Sequence, residues 1–330
     1  MLGEIRFQML DEAETPSAPF NQMSVKRALA TGGAAGLVLG LFILGLLALF
    51  RRTARDPEEM KRITSLRCLA MIPYMPVKAR RSQKRQSISV LDARTPHGYR
   101  ESMRSLRLRL LRQMEQAGQK VLVVTSTAAG EGKSTVAVNL ALLLADDGRK
   151  VLLIDGDLRR QTDAARLGIG AKHSLQDVAA GGKRASELVG KIRSSGLYFL
   201  GNSSTMEQPA PVLTSGAVQR FVEEMREKMD FVIIDTPPCE MFQDAALLAE
   251  YADAMLYVVK YDAVPQRRIR DGIASLSGRR AAFAGYAFNS CPEYGGIYGY
   301  GRYGYGYGYG YGYGSRSSRG RKGGEEGESV

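Results

Sequence analysis

Lys133 stands in the run Thr125-Ser-Thr-Ala-Ala-Gly-Glu-Gly-Lys-Ser-Thr135. Glycines at this spacing let consecutive backbone N–H groups turn inward around an anion, the lysine can reach a terminal phosphate, and the hydroxyl after it can ligate a hard cation. The candidate phosphate cradle is therefore Thr127, Ala128, Ala129, Gly130, Glu131, Gly132, Lys133, Ser134 and Thr135. It departs from G-x-x-x-x-G-K-[ST] at Thr127, where the pattern has glycine. Acids that could serve such a cradle follow two apolar runs, as Asp155-Gly-Asp157-Leu-Arg159 and Asp235-Thr-Pro-Pro238. A carboxylate there can hold a metal or its water, or take a proton during group transfer. Lys133, Asp155, Asp157 and Asp235 are thus the expected catalytic residues, with Ser134, Asp155 and Asp235 facing Mg²⁺ and ATP as the nucleotide. Asp155 is the candidate base and Asp157 the support for metal and lysine; the opposite division stays open, since both leave the same strand end.

These groups need elements to position them. The run 121–124 is apolar and rich in β-branched residues, as suits a buried parallel strand, and an apolar helical run, 136–144, follows the cradle. Further strand-like runs lie at 151–154, 231–234, 254–259 and 281–289, with helices expected at 219–228 and 243–251. This alternation predicts an α/β P-loop NTPase fold, mostly parallel, with helices on both faces. Ligands of such sheets bind beyond the carboxyl ends of the strands, so the three acids should converge on the cradle, and Asn289, at another strand end, should lie near the adenine.

Composition sets the wider frame. The 330 residues carry 46 Lys and Arg against 34 Asp and Glu, with 44% apolar residues and 3 widely separated cysteines. That excludes a wholly disordered chain and a disulfide-stapled fold. The net charge of +12 is local, because positions 51–120 hold 18 Lys and Arg against 6 Asp and Glu. Before that block, positions 28–50 carry no charge and would be about 34 Å long as a helix, enough to span a bilayer. The excess of basic residues after it puts the N-terminus outside and the rest in the cytoplasm of a single-pass cell-membrane protein, with the basic block against anionic lipids. Gly32, Gly36 and Gly40 form either a helix-packing ridge or the ordinary glycine content of membrane helices. Expected divisions are an extracytoplasmic segment (1–27), a membrane helix (28–50), a basic juxtamembrane segment and linker (51–95), the P-loop domain (96–292) and a tail (293–330). Within 51–95, Asp56 and Pro57 open a short helix that runs into an apolar stretch closed by Pro73. A basic helix is expected from Tyr99.

The tail holds Tyr294, Tyr298, Tyr300, Tyr303, Tyr305, Tyr307, Tyr309, Tyr311 and Tyr313, largely alternating with glycine. Such a segment cannot bury a core and is expected to be disordered. Alone, its aromatic and arginine residues would suit single-stranded nucleic acid. Attached to a nucleotide site it reads better as a phosphoacceptor, and no nucleic acid is expected as partner.

The Gly-Glu-Gly-Lys-Ser-Thr loop, the D-x-D-x-R element at Asp155, Asp157 and Arg159, and D-T-P-P from Asp235 together resemble the bacterial tyrosine kinases, the BY-kinases that accompany polysaccharide export. Glu101-x-x-Arg104-x-x-Arg107 is similar to the motif with which that family builds rings, and the tail is similar to its autophosphorylated cluster. The front of the chain, with the segment 13–19, the apolar helix, Pro57-Glu-Glu and the stretch 69–73, resembles the end of a chain-length-determinant domain. The extracytoplasmic part is nearly absent here, as expected if it is a separate protein or if the start lies within a longer reading frame. The resemblance implies an ATP-dependent tyrosine autokinase regulating capsule or exopolysaccharide synthesis. Its implied partners are other copies in a ring, a polysaccharide copolymerase or activator membrane protein, and a cognate phosphatase. The chain departs at Ala129, where the family often has proline, and in Gln208-Pro209-Ala-Pro-Val-Leu213, a reduced form of a family segment. Ala128 replaces the second lysine of the plasmid-partitioning and division-site relatives, which argues against them. A membrane-bound P-loop ATPase that switches assembly without kinase activity is the alternative reading, and a nucleic-acid-binding module is a third.

Overall fold

The computed structural model describes residues 24–50, 52–75, 89–160, 163–192, 196–202 and 204–292. In chain order the elements are α1 (Val25–Phe50), α2 (Pro57–Ile63), β1 (Cys68–Pro73), α3 (His97–Gln116), β2 (Val121–Ser126), α4 (Lys133–Asp146), β3 (Val151–Asp155), α5 (Asp163–Leu167), α6 (Leu175–Ala180) and α7 (Ala185–Leu188). They continue with β4 (Gly190–Lys191), β5 (Leu197–Leu200), α8 (Ala210–Leu213), α9 (Gly216–Lys228), β6 (Phe231–Asp235), α10 (Asp244–Ala249), β7 (Ala254–Lys260), α11 (Gln266–Leu276) and β8 (Ala282–Cys291). The segment 13–19, most of the expected linker and all nine tail tyrosines lie outside the described residues.

The strands form one sheet in the order β1-β8-β7-β2-β6-β3-β5-β4, parallel throughout except for the β4–β5 pair. β2, β3 and β6 are buried at every residue, as strands covered on both faces must be. Alternate side chains feed two cores. Val121, Val123, Leu152, Ile154, Val232 and Ile234 pack with Phe221, Leu248 and Ile269 from α9, α10 and α11. Leu122, Val124, Leu153 and Ile233 pack with Met103, Leu106 and Leu110 of α3 and Leu140 and Leu144 of α4. The chain passes from β2 to β3, returns through β6 between them, and then crosses to β7 on the other side of β2. The loops leaving β2, β3 and β6 therefore meet at a switch point, where this class of sheet binds its ligand.

Two parts of the basic stretch after α1 join this sheet. Asp56 caps α2 by accepting from the N–H groups of Glu58 and Glu59, with Pro57 at the first helical position. β1 then pairs in parallel with β8. The residues before α2 lie along the loop that follows β7. Gln266 N donates to Arg52 O at 2.8 Å, Asp262 N donates to Ala54 O at 2.9 Å, and Arg55 pairs with the Asp262 carboxylate at 3.0 Å. α1 is exposed where its side chains are described, and its stretch Val25–Leu46, of mean hydropathy 2.1, is long and apolar enough to cross a bilayer.

Short elements escaped the sequence reading. β5 is a four-residue strand whose pattern, Leu-Tyr-Phe-Leu, is no longer than many loop stretches, and β4 is only two residues long. The stretch 208–213 holds the single turn α8.

Candidate nucleotide and metal site

β2 runs straight into the glycine loop. Gly130 and Gly132 have φ of 84° and 93°, left-handed values that glycine adopts without cost. A Cβ at Gly132 would also collide with the Asn289 side-chain amide, so this position needs glycine twice over. α4 starts at Lys133, which turns its N-terminus and its unpaired N–H groups toward the loop's mouth.

Glu131 points inward and is 1% exposed. Its carboxylate accepts from Ala128 N at 2.6 Å and Lys260 N at 3.2 Å, fixing the loop to the end of β7. Burial pushes its pKa up to about 7 against the bonds that hold the charge. Thr127 is fully buried, its hydroxyl 2.9 Å from that of Tyr257 on β7. Filling the place of the pattern's first glycine, it is used in packing. Asn289 donates to Glu131 O at 2.7 Å, so its amide braces the loop from outside.

The acids come together as their strand ends dictate. Parallel register sets Asp155 beside Asp235. Gly156 follows, and its N–H donates to Asp235 O at 2.8 Å, an approach that a side chain would block. Lys133 Nζ lies 3.6 Å from Asp235 Oδ2, 3.7 Å from Asp157 Oδ2 and 3.2 Å from Ser134 Oγ. Asp155 is fully buried and accepts from Asp157 N at 3.3 Å. Burial, then the charges of Asp235 and Asp157, hold its pKa well above the usual carboxylate range. Burial likewise raises Asp157, against the pull of Lys133.

One acid was not foreseen. Asp163, in the first turn of α5, is fully buried, and its carboxylate oxygen lies with those of Asp155 and Asp235 in a group within 4.8 Å of one another. From sequence it reads as an ordinary helix-opening Asp, because only tertiary structure brings the start of α5 to the acids at the ends of β3 and β6. Both oxygens of Asp163 and Asp235, with Asp155 Oδ2 and Asp157 Oδ1, accept no hydrogen bond. Buried acceptors left without donors suit a hard divalent cation. The residue set therefore fits Mg²⁺.

In front of Lys133 opens a cavity of about 300 Å³, bounded by the loop, Asp157, Arg159, Arg160, Arg166 and Phe242. Arg159 is held in a fork on Asp244, at 3.0 and 3.4 Å, and stacks 4.0 Å from the centre of the Phe242 ring. Three guanidinium groups and a helix N-terminus around one opening suit a polyphosphate. Glu101, Arg104 and Arg107 are on α3, away from this opening. Arg104 pairs with Glu101 at 2.7 Å, while Arg107 reaches Asp147 at 2.5 Å and Leu143 O at 3.3 Å at the carboxyl end of α4.

Fold and loop define a P-loop nucleotide-binding α/β protein. A family model described as an AAA domain matches residues 119–271. The tyrosine-protein kinase CpsD of Streptococcus pneumoniae is 31% identical over 191 residues, which are 56% of this chain and 84% of that protein. The chain belongs to the bacterial tyrosine-protein kinase family. EpsB of Ralstonia solanacearum is 31% identical over 314 residues, 92% of this chain, and the chain spans 41% of its length. The solved BceF tyrosine kinase domain superposes with a TM-score of 0.65 at 27% identity, covering 73% of this chain and 100% of that one.

Proposed function

We propose that the chain is an ATP-dependent protein-tyrosine autokinase that phosphorylates its C-terminal tyrosine cluster between subunits and thereby regulates capsule or exopolysaccharide synthesis. The observation that carries this reading is Lys133, set between Asp157 and Asp235 at the mouth of the glycine loop. Backbone N–H groups from Thr127 to Thr135 would cradle the phosphates, and Lys133 would turn from the two acids to the terminal phosphate. Ser134, Asp155 and Asp235 would hold Mg²⁺, which when bound would supply positive charge against the phosphates during transfer.

A tyrosine hydroxyl, with a pKa near 10, needs a partner to take its proton as transfer proceeds. Asp157 suits this role better than Asp155. It borders the cavity, whereas Asp155 is not among the lining residues, and burial raises its proton affinity in the useful direction. Asp155 is then left to the metal.

The apolar helix would anchor the chain in the cell membrane with the kinase domain in the cytoplasm. Glu101, Arg104 and Arg107 would contact a neighbouring copy in a ring. A polysaccharide copolymerase or activator protein in the membrane and a phosphatase acting on the tail complete the expected set of partners. Phosphates added along the tail would repel one another and loosen the ring.

The test mixes a Lys133→Met chain with an intact tail and an active chain whose nine tail tyrosines are Phe. Phosphate on the inactive chain's tail, read by mass spectrometry after incubation with Mg-ATP, supports transfer between subunits. An unlabelled tail in the mixture removes that route. If the wild type releases phosphate and leaves its tail unmodified, the chain is an ATPase and the kinase reading fails.

A further inference from the structure

Four buried carboxylates, those of Asp155, Asp157, Asp163 and Asp235, crowd the end of the β3–β6 pair. Against them stands one ammonium group, Lys133, which sits between Asp157 and Asp235 and not beside Asp163. Arg166 forms a long ion pair with Asp163, 4.0 Å from Oδ1 and too far for a hydrogen bond, so it offsets only part of the charge. Asp163 is 0% exposed, and neither of its oxygens has a donor. Placing an ionised carboxylate in that state costs several kcal/mol unless a cation joins it.

Among the described residues, Asp155, Asp163 and Asp235 form the one group of three such side chains close enough to share an ion. Magnesium sites that fill together with a nucleotide commonly use one or two carboxylates, with phosphates and waters completing the shell. Three buried carboxylates offer more negative charge than that arrangement requires. Oxygen-only donors of this hardness select Mg²⁺ or Mn²⁺ over softer metals.

We propose that Asp163 joins Asp155 and Asp235 in a divalent-cation site that fills before nucleotide arrives. The chain would then meet ATP with its metal already in place, and Asp163, outside the D-x-D and D-T-P-P motifs, is the residue that makes this possible. The inference rests on the reading above, in which Asp155 and Asp235 face the metal.

The experiment uses the full chain in detergent micelles, stripped with chelator and free of nucleotide, and titrates Mn²⁺ while the signal of the free ion is followed by electron paramagnetic resonance. The wild type is expected to remove one Mn²⁺ per chain from solution and to melt at a higher temperature with the ion bound. Asp163→Asn is expected to bind Mn²⁺ at least about tenfold more weakly, the low end of the cost of disturbing a carboxylate near a metal. Without metal the variant should melt no lower than the wild type, because a buried carboxyl that accepts no hydrogen bond has been removed. Equal Mn²⁺ uptake by the folded variant overturns the proposal. So does a wild type that takes up no Mn²⁺ until nucleotide is added, which decides the matter even if the variant does not fold. Binding of a non-hydrolysable ATP analogue with Mg²⁺ is measured on the same samples. If Lys133-dependent analogue binding persists while nucleotide-free uptake fails, this inference falls alone; if both fail, the reading of the site falls with it.

Discussion

Asn289, near the end of β8, donates its side-chain amide to the carbonyl of Glu131 at 2.7 Å, so that the strand next to the sheet's edge holds the glycine loop beside its tightest turn. The same amide fills the space that a side chain at Gly132 would occupy. Loop and strand are 158 positions apart in sequence and meet only through the sheet.

Asn289→Ala should therefore loosen the loop. One such bond contributes about 1 kcal/mol, so affinity for a non-hydrolysable ATP analogue should fall roughly fivefold, as read by calorimetry. A loss nearer a hundredfold would instead mark direct contact with the nucleotide, and an unchanged constant would show that the loop holds its shape without Asn289.

Glu131 gives stability a pH dependence. Its folded pKa of about 7 lies above its ordinary value of 4.5, so the folded chain binds this proton more tightly than the unfolded chain does. The contribution is full below pH 4.5 and is lost as the pH rises through 7. Its size is about 3 kcal/mol at most. Urea unfolding of wild type and Glu131→Gln between pH 4.5 and 8 should show the variant gaining relative stability as the pH rises. A constant difference across that range would place the titration elsewhere.

Gly156 separates the two acids that leave β3. A Cβ there would lie 2.7 Å from Asp235 O and 2.9 Å from Leu248 Cδ1, both in packed surroundings. Gly156→Ala should cost about 2 kcal/mol or more in unfolding free energy, because backbone must shift to relieve the overlap. It should also weaken Mg-ATP binding, since the shift moves Asp155 and Asp157. A variant as stable as the wild type would mean that the β3–β6 end is softer than its burial implies.

Glu101, Arg104 and Arg107 on α3 should separate by their contacts. Arg104 pairs with Glu101 on an exposed face, so Arg104→Ala should change monomer stability by less than about 0.5 kcal/mol. Arg107 joins two helices through Asp147 and Leu143 O, and Arg107→Ala should cost about 1 kcal/mol whatever the oligomeric state. Sedimentation velocity then tests the assembly role. If Arg104→Ala sediments like the wild type at every concentration, its place in a subunit contact is lost.

The sequence carried the strands around the site well, because β2, β3, β6 and β7 are continuous apolar runs and each ends in a residue with recognisable chemistry. The run 121–124 proved to continue to Ser126, with Thr125 and Ser126 paired to β7, and the run 281–289 to Cys291. The helix expected from Tyr99 begins at His97. Asp163 was illegible for a different reason: it belongs to no periodic face, and its burial depends on where a five-residue helix lands. The bracing role of Asn289 was equally hidden, since a residue at a strand end can turn toward a ligand or toward the loop beside it. Arg107 shows the limit of spacing arguments. Positions 101, 104 and 107 share a region of one helix, yet the third is drawn to a neighbour that the pattern does not name.

β1 comes from the far side of the segment 76–88, yet it covers β8, a ten-residue strand whose Tyr286 and Phe288 are buried. Gly285, at φ 147°, admits the close approach of Leu69 that seats the two strands together. A fragment starting at Ser89 would strip this cover and leave a long row of unpaired amide and carbonyl groups beside an apolar surface. Such an edge is a template for other chains, so the fragment would tend to aggregate through strand pairing. The short strand that follows α2 thus protects the solubility of the sheet that it closes.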